Sequence, residues 1–277
     1  MIDSVVNVLN CPLCNSDLRI LNENYRQCSE CHLAVSKHPA LEYDDSYYYG
    51  IDTRDKRLIA RAKILFKNTE KFIRRGNNVL DFGCNVGLFV DLCNRKLIKT
   101  DGLDISKRNI RICREYYSNR GQFFLPDEIK SKYDCVTAFD VIEHFEDLND
   151  FMRKTVNCLS SDGLLVITTP NINSAWIDLF GFGWHGFGIP QYHRYILSMK
   201  ALESLAELHQ MKIHFIKQVG ILEPNAWIYI FGSEYRLCKN RFFKFLKIPK
   251  AILSYIYLYA SNQFYTDTLL AVFTKES

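Results

Sequence analysis

Between residues 78 and 170, short apolar runs ending in turn residues alternate with stretches of helical period, which leaves the chain few architectures. NVLDFG (78–83), GLDIS (102–106), YDCVTAF (133–139) and GLLVITTP (163–170) read as buried strands. Between them, LFVDLCNRK and the stripe Leu148, Phe151, Met152, Val156 and Leu159 carry helical spacing, and Ser106 sits where it can cap the helix holding Ile110 and Cys113. A further helical stripe precedes them, formed by Leu58, Ile59, Ala62, Leu65, Phe66, Phe72 and Ile73. Strands alternating with helices imply a parallel sheet covered on both faces, a doubly wound α/β domain over roughly 54–277. The length of 277 residues, with 48% apolar and 24% charged residues, suits one or two globular domains and excludes a disordered or fibrous chain.

The first strand runs straight into Gly83, Cys84, Asn85, Val86 and Gly87, and Asp104 closes the next strand. Ligands of such sheets bind at the carboxyl ends of strands. Gly83 and Gly87 let backbone approach a ligand that a Cβ would hold off, and a carboxylate at Asp104 can take both hydroxyls of a ribose. The nicotinamide-enzyme fingerprint G-x-G-x-x-G is absent, because Gly83 and Gly87 are separated by Cys84, Asn85 and Val86.

Four of the ten cysteines form two C-x2-C pairs, Cys11/Cys14 and Cys28/Cys31, with thirteen residues between them. In a chain without the basic start and apolar core of an export signal, such knuckles read as a tetrahedral structural zinc site. Four thiolates leave the metal no open position, and His32 is read as a bystander beside Cys31. Residues 1–40 are therefore expected to be a small zinc ribbon that needs its metal to fold, followed by a Tyr-rich linker (41–53).

Several segments carry a resemblance. Asp81-x-Gly83-x-Asn85-x-Gly87 resembles the first motif of class I S-adenosylmethionine methyltransferases. YDCVTAFDVIEHFED (133–147), GLLVITTPN (163–171), YHRYILSMKALESLAEL (192–208) and DTLLAVFTK (267–275) resemble later segments of the same family. The resemblance implies the family's Rossmann-like, mostly parallel seven-stranded sheet. It also implies that Asp81 and the turn Gly83, Cys84, Asn85 and Gly87 face the methionine part of the cofactor, with Asp104 on the ribose, Ile105 beside the adenine and Asp140 among the cofactor-binding residues. Asn85 replaces the family's middle glycine, and asparagine tolerates a left-handed backbone better than most residues.

Methyl transfer to an O–H or N–H acceptor uses a base near neutral pKa, which directs attention to histidine. His144, with Glu143, follows the fourth strand, and His193 precedes a helix expected near the same mouth. Asp140, Glu143, His144 and His193 have a second reading as ligands of a divalent cation, with Asp140 and Glu143–His144 sharing one face of a helical turn. That reading resembles the E-x-x-E-H…H site of small-RNA 2′-O-methyltransferases and of ubiquinone-pathway O-methyltransferases. Trp176, Phe182, Trp184, Phe187 and Tyr192 either cover the substrate or pack a core, His185 sits in a Gly-rich stretch suited to a lid, and Tyr47–Tyr49 lie where they could close over the cofactor.

A net charge of +4 does not by itself indicate a nucleic-acid partner. Six basic residues between Arg236 and Lys250, interleaved with aromatics and followed by AILSYIYLYA, suit a peripheral anionic membrane surface, RNA phosphates or a solvated helix edge. No apolar run approaches the ~18 residues of a membrane span, so a cytoplasmic enzyme is expected. Ribbon, Tyr-rich linker and catalytic domain together resemble methyltransferases of cell-surface glycan and natural-product pathways. Their implied substrates are small molecules, including nucleotide-linked sugars. The rivals are an RNA methyltransferase and a cofactor-binding protein without transferase activity.

Overall fold

The structure is a computed structural model that describes residues 10–39, 53–74, 77–181, 184–187, 189–220 and 266–275. The Tyr-rich linker (except Thr53), Phe182 and the basic stretch 236–260 lie outside the described residues.

Three short strands open the chain: β1 (Leu18–Ile20), β2 (Tyr25–Cys28) and β3 (Ala34–Ser36). Helix α1 (Lys56–Thr69) follows, capped by the Asp55 carboxylate on the Arg57 amide. The alternating region is β4 (Val79–Phe82), α2 (Leu88–Arg95), β5 (Thr100–Leu103), α3 (Lys107–Tyr116), β6 (Phe123–Phe124), β7 (Tyr133–Phe139), α4 (Leu148–Asn157) and β8 (Leu159–Pro170). Then come α5 (Ala175–Phe180), β9 (Tyr195–Ile196), α6 (Met199–Leu208), β10 (Met211–Val219) and β11 (Thr268–Lys275). Ser106 caps α3 as expected, its hydroxyl accepting from the Asn109 amide at 3.1 Å. The second strand starts two residues earlier than its apolar run and stops at Leu103, because the Asp104 carboxylate accepts from the Ser106 amide and turns the chain. Helix α1 likewise ends at Thr69, short of Phe72 and Ile73.

Seven strands form one sheet in the order β10–β11–β8–β7–β4–β5–β6. All neighbours are parallel except β11, which is antiparallel to both β8 and β10. The chain leaves β4 for β5 and β6 on one side, then returns to β7 and β8 on the other. The order reverses between β4 and β7, a switch point at whose carboxyl ends ligands of such sheets bind.

Both sheet faces are covered, and successive residues of a strand enter different cores. Val79, Val166 and Val272 pack with Leu65 of α1 and Phe89 of α2. Their neighbours Leu80, Leu165 and Phe273 pack with Phe151 of α4 and Leu205 of α6. That second core continues without a break into Leu18, Leu33, Val35 and the ribbon cysteines. The ribbon sheet is also extended by the main domain, since β3 pairs antiparallel with β9 (Ala34 with Ile196, Val35 with Tyr195). No helix among the described residues is long and apolar enough to cross a membrane.

Candidate functional site

The turn after β4 takes left-handed backbone at alternate positions: Gly83 at φ +84°, Asn85 at +51° and Gly87 at +75°. Asn85 thus adopts the conformation that the sequence asked of it. Its amide donates to Asp104 Oδ2 at 2.8 Å, and its carbonyl accepts from Cys113 Sγ at 3.3 Å. Asp104 Oδ1 accepts from the Ser106 amide at 2.9 Å. Both carboxylate oxygens are therefore oriented by backbone donors, each with lone-pair capacity left. Burial raises the Asp104 pKa. Ile105, the next residue, is 55% exposed, unusual for an isoleucine at the end of a buried strand.

Asp81 lies within β4 and is buried. Desolvation pushes its pKa up to about 7, and the Asp104 charge adds to that, against a 2.8 Å hydrogen bond from the Thr137 hydroxyl. Gly83 is constrained twice, by its positive φ and because a Cβ there would stand 2.6 Å from Val141 Cγ2. Gly83→Ala is expected to lower unfolding free energy by at least about 1–2 kcal/mol, read as a lower denaturant midpoint at unchanged slope. The same contact shows that the turn after β4 packs directly on the segment following β7.

That segment holds the second group. A single 3-10 turn, Ile142–His144, places Glu143 fully buried. The Thr169 hydroxyl donates to Glu143 Oε2 at 3.1 Å, while Oε1 is buried with no hydrogen-bond partner among the described residues. Desolvation pushes the carboxyl up to about 8. The His144 and His193 rings stand 4.9 Å apart. His144 Nδ1 lies 2.9 Å from the Tyr192 carbonyl, and His193 Nδ1 lies 2.9 Å from the Gly186 carbonyl. Each contact fixes the tautomer with the proton on Nδ1 and the lone pair on Nε2. Burial holds the His144 pKa down at about 3, helped by His193, and burial also lowers His193. Glu143, His144 and His193 each offer one ligand atom within 4.8 Å of the others.

Asp140 does not join them. It precedes the 3-10 turn in left-handed backbone (φ +52°), so the helical spacing to Glu143 and His144 does not apply. Its carboxylate pairs with Arg61 of α1 and accepts from the Thr168 hydroxyl at 2.9 Å. Arg61, Thr169 and the carbonyls of Gly186 and Tyr192 shape this site without having signalled it in the sequence. Arg61 and Thr169 lie on elements distant from the 3-10 turn along the chain, and the other two act only through backbone. Trp176, Trp184 and Phe187 are buried with Tyr25 and Ile196, so these aromatics form a core rather than a cover.

A second group of candidate ligands gathers the four N-terminal cysteines. The thiols of Cys11, Cys14, Cys28 and Cys31 lie within 4.8 Å of one another, with Cys11–Cys31 at 3.5 Å and Cys14–Cys28 at 3.4 Å. Tetrahedral zinc with ~2.3 Å bonds needs sulfurs roughly 3.8 Å apart. The Cys31 thiol draws Cys11 down to about 5, while that same contact and burial push Cys31 up. Thiols this crowded cannot all ionise without a cation among them. His32 is no part of the group.

The family described as "Methyltransferase domain" matches residues 53–214. Among curated proteins, a ubiquinone biosynthesis O-methyltransferase of Bradyrhizobium diazoefficiens is 29% identical over 106 residues, covering 35% of this chain and 42% of that protein. The chain spans 42% to 56% of the length of the first such relatives it matches. Among solved structures, the PH0226 protein from Pyrococcus horikoshii OT3 superposes with a TM-score of 0.54 at 17% identity, over 85% of this chain and 100% of that one. The [4+2]-cyclase SpnF does so with a TM-score of 0.53 at 15% identity, over 86% and 89%. These likenesses establish a shared fold, one that also hosts a reaction named as a cyclisation.

Proposed function

The chain belongs to the methyltransferase domain family, and from that premise we propose that it transfers the methyl group of S-adenosylmethionine to an oxygen or nitrogen of a small molecule. One observation carries the reading. The left-handed turn after β4 and the Glu143–His144–His193 group after β7 meet at the sheet's switch point, in contact through Gly83 and Val141.

Bound S-adenosylmethionine supplies an electrophilic methyl on a sulfonium sulfur. Asp81 and the 83–87 turn face its methionine part, joined by Asp140 with its Arg61 partner. Asp104 holds the ribose, and the exposed Ile105 side chain lies against the adenine. Asp104→Ala should weaken S-adenosylhomocysteine binding at least tenfold by calorimetric titration, and unchanged affinity would remove Asp104 from the site.

Glu143, His144 and His193 suit a divalent cation: one unpartnered buried oxygen, and two imidazoles fixed through Nδ1 with the lone pair on Nε2. Such an ion, when bound, lowers the pKa of an acceptor hydroxyl. The residues themselves orient the acceptor; in the absence of the ion, the His193 Nε2 lone pair can take its proton. This arrangement favours an oxygen acceptor, in keeping with the O-methyltransferase names of the curated relatives. Residues 1–40 form a structural zinc ribbon and 54–277 the transferase, joined by 41–53. The substrate we favour is a sugar, nucleotide-linked or not, or a natural-product intermediate.

The test is transfer of isotope-labelled methyl from S-adenosylmethionine into separated pools of small metabolites, RNA, protein and lipid, with and without a chelator too weak to strip the ribbon. Label in small molecules that disappears with chelator is expected. Label in RNA would point to 2′-O-methylation of RNA, and no label in any pool to a cofactor-binding protein without transferase activity.

A further inference from the structure

We propose that the ribbon positions His193, with Tyr25 as the main positioning residue; the inference rests on the function proposed above. Tyr25 opens β2, fully buried, 168 residues before His193 in the chain. Its phenol donates a 2.9 Å hydrogen bond to the His193 carbonyl, and its ring meets Phe187 edge-on at 5.3 Å.

The contacts around that bond run along one seam. The Ser36 amide donates to the Arg194 carbonyl at 2.9 Å, and the Ser36 hydroxyl donates to the Pro190 carbonyl at 2.7 Å. Arg194 Nη1 returns two hydrogen bonds, to the carbonyls of Ser36 and His38, each at 2.7 Å. Strand β3 pairs with β9 directly after this stretch, and the Ser198 hydroxyl donates to the Cys31 carbonyl. The His193 amide and ring are held from their own loop, by the carbonyls of Ile189 and Gly186. His193 is thus gripped on its main chain by the ribbon and on its ring by the 186–189 loop.

The chemistry needs that grip. A ligand or base must keep its nitrogen within a fraction of an ångström of its working position, and a 1 Å misplacement can cost about 10²-fold. Strand β2 ends at Cys28 and β3 begins three residues after Cys31, so the knuckle 28–31 links the two strands that touch the His193 segment. An order at the four cysteines is transmitted to His193 through Tyr25 and the β3–β9 pairing.

The full-length zinc protein and its Tyr25→Phe variant would be titrated with Co2+ and with S-adenosylhomocysteine, after confirming equal zinc content. Gln27→Ala, on the same strand, serves as the control. Tyr25→Phe should weaken Co2+ binding at the Glu143–His144–His193 site at least tenfold, with S-adenosylhomocysteine affinity unchanged and Gln27→Ala like wild type. Equal Co2+ affinity in Tyr25→Phe would overturn the positioning role and leave the proposed function standing. If wild type binds no Co2+ beyond the ribbon, the cation reading fails by itself. The His193 ring signals in NMR spectra of histidine-labelled protein then decide the positioning role. A shift of those signals in Tyr25→Phe with His209 unmoved supports it, and unmoved His193 signals overturn it.

Discussion

Glu143→Gln is expected to abolish methyl transfer while making the chelator-treated protein more stable near pH 8. The first effect follows from removing the only carboxylate of the group, whose Oε1 has no hydrogen-bond partner among the described residues and is proposed to face the cation. A drop of at least about 10²-fold in labelled methyl transfer is expected, at or beyond the top of the ~10–100-fold range for losing an outer support of such a site. The second effect follows from linkage. The folded carboxyl titrates at about 8 because it is desolvated, against 4.5 when solvated. Between those values the folded state holds a proton that the unfolded state has lost, so stability falls as pH rises, by up to about 1.4 kcal/mol per unit. Asp81 acts in the same direction up to about 7. His144 acts oppositely: held neutral down to about 3, it makes stability rise with pH until its ordinary value of 6.5. Below pH 6.5 His144 offsets one of the two acid effects, and because Asp81 and His144 are common to both proteins, the stability of wild type relative to Glu143→Gln falls from pH 4.5 to about 8. Thermal unfolding of wild type and variant across pH 5 to 9 checks this. A parallel pair of curves would contradict the assignment of the buried proton to Glu143.

Removing the zinc proposed for the four cysteines is expected to have the largest structural effect. Cys28→Ser should abolish zinc stoichiometry and lower Tm by roughly 10 °C or more, equivalent to about 4 kcal/mol for a chain of this size. That is well within the ~10–16 kcal/mol that structural zinc contributes in small fingers. In an independent module the loss would stay local. Here Cys11, Cys28, Cys31, Leu33 and Val35 belong to the same core as Leu80, Phe151 and Leu205, and β3 continues into β9. Opening the ribbon exposes that core, so a single cooperative transition should move as a whole. Two separate transitions, with the upper one unshifted, would show that the ribbon and the sheet unfold independently.

Much of the proposed cofactor half of the site is legible locally. Asp81, Gly83, Asn85, Gly87 and Asp104 lie within 24 residues, and their left-handed turn and backbone-bonded carboxylate follow from residue type and short spacing. The substrate half was legible only in part. His144 and His193 could be nominated by chemistry, yet their partnership depends on a segment that returns from beyond β8. Of the two sequence readings of Asp140, its place in the cation group does not hold, because the backbone turns left-handed there and Arg61 takes the carboxylate. The aromatics of 176–187 carried two readings, and burial chose the core.

The sequence by itself determined the alternating α/β order, the glycine turn, the acid at the end of β5 and the two cysteine knuckles. These rest on neighbouring residues, where backbone sterics and hydrophobic period act directly. Only the tertiary structure decided which side chains share the mouth. It also decided that Arg61 removes Asp140 from the cation group and that the ribbon is bonded to the His193 segment. Those contacts join residues up to 168 positions apart. They form because burying the ribbon face against the sheet's second core brings their hydrogen-bonding groups out of water together, and no local pattern encodes that meeting.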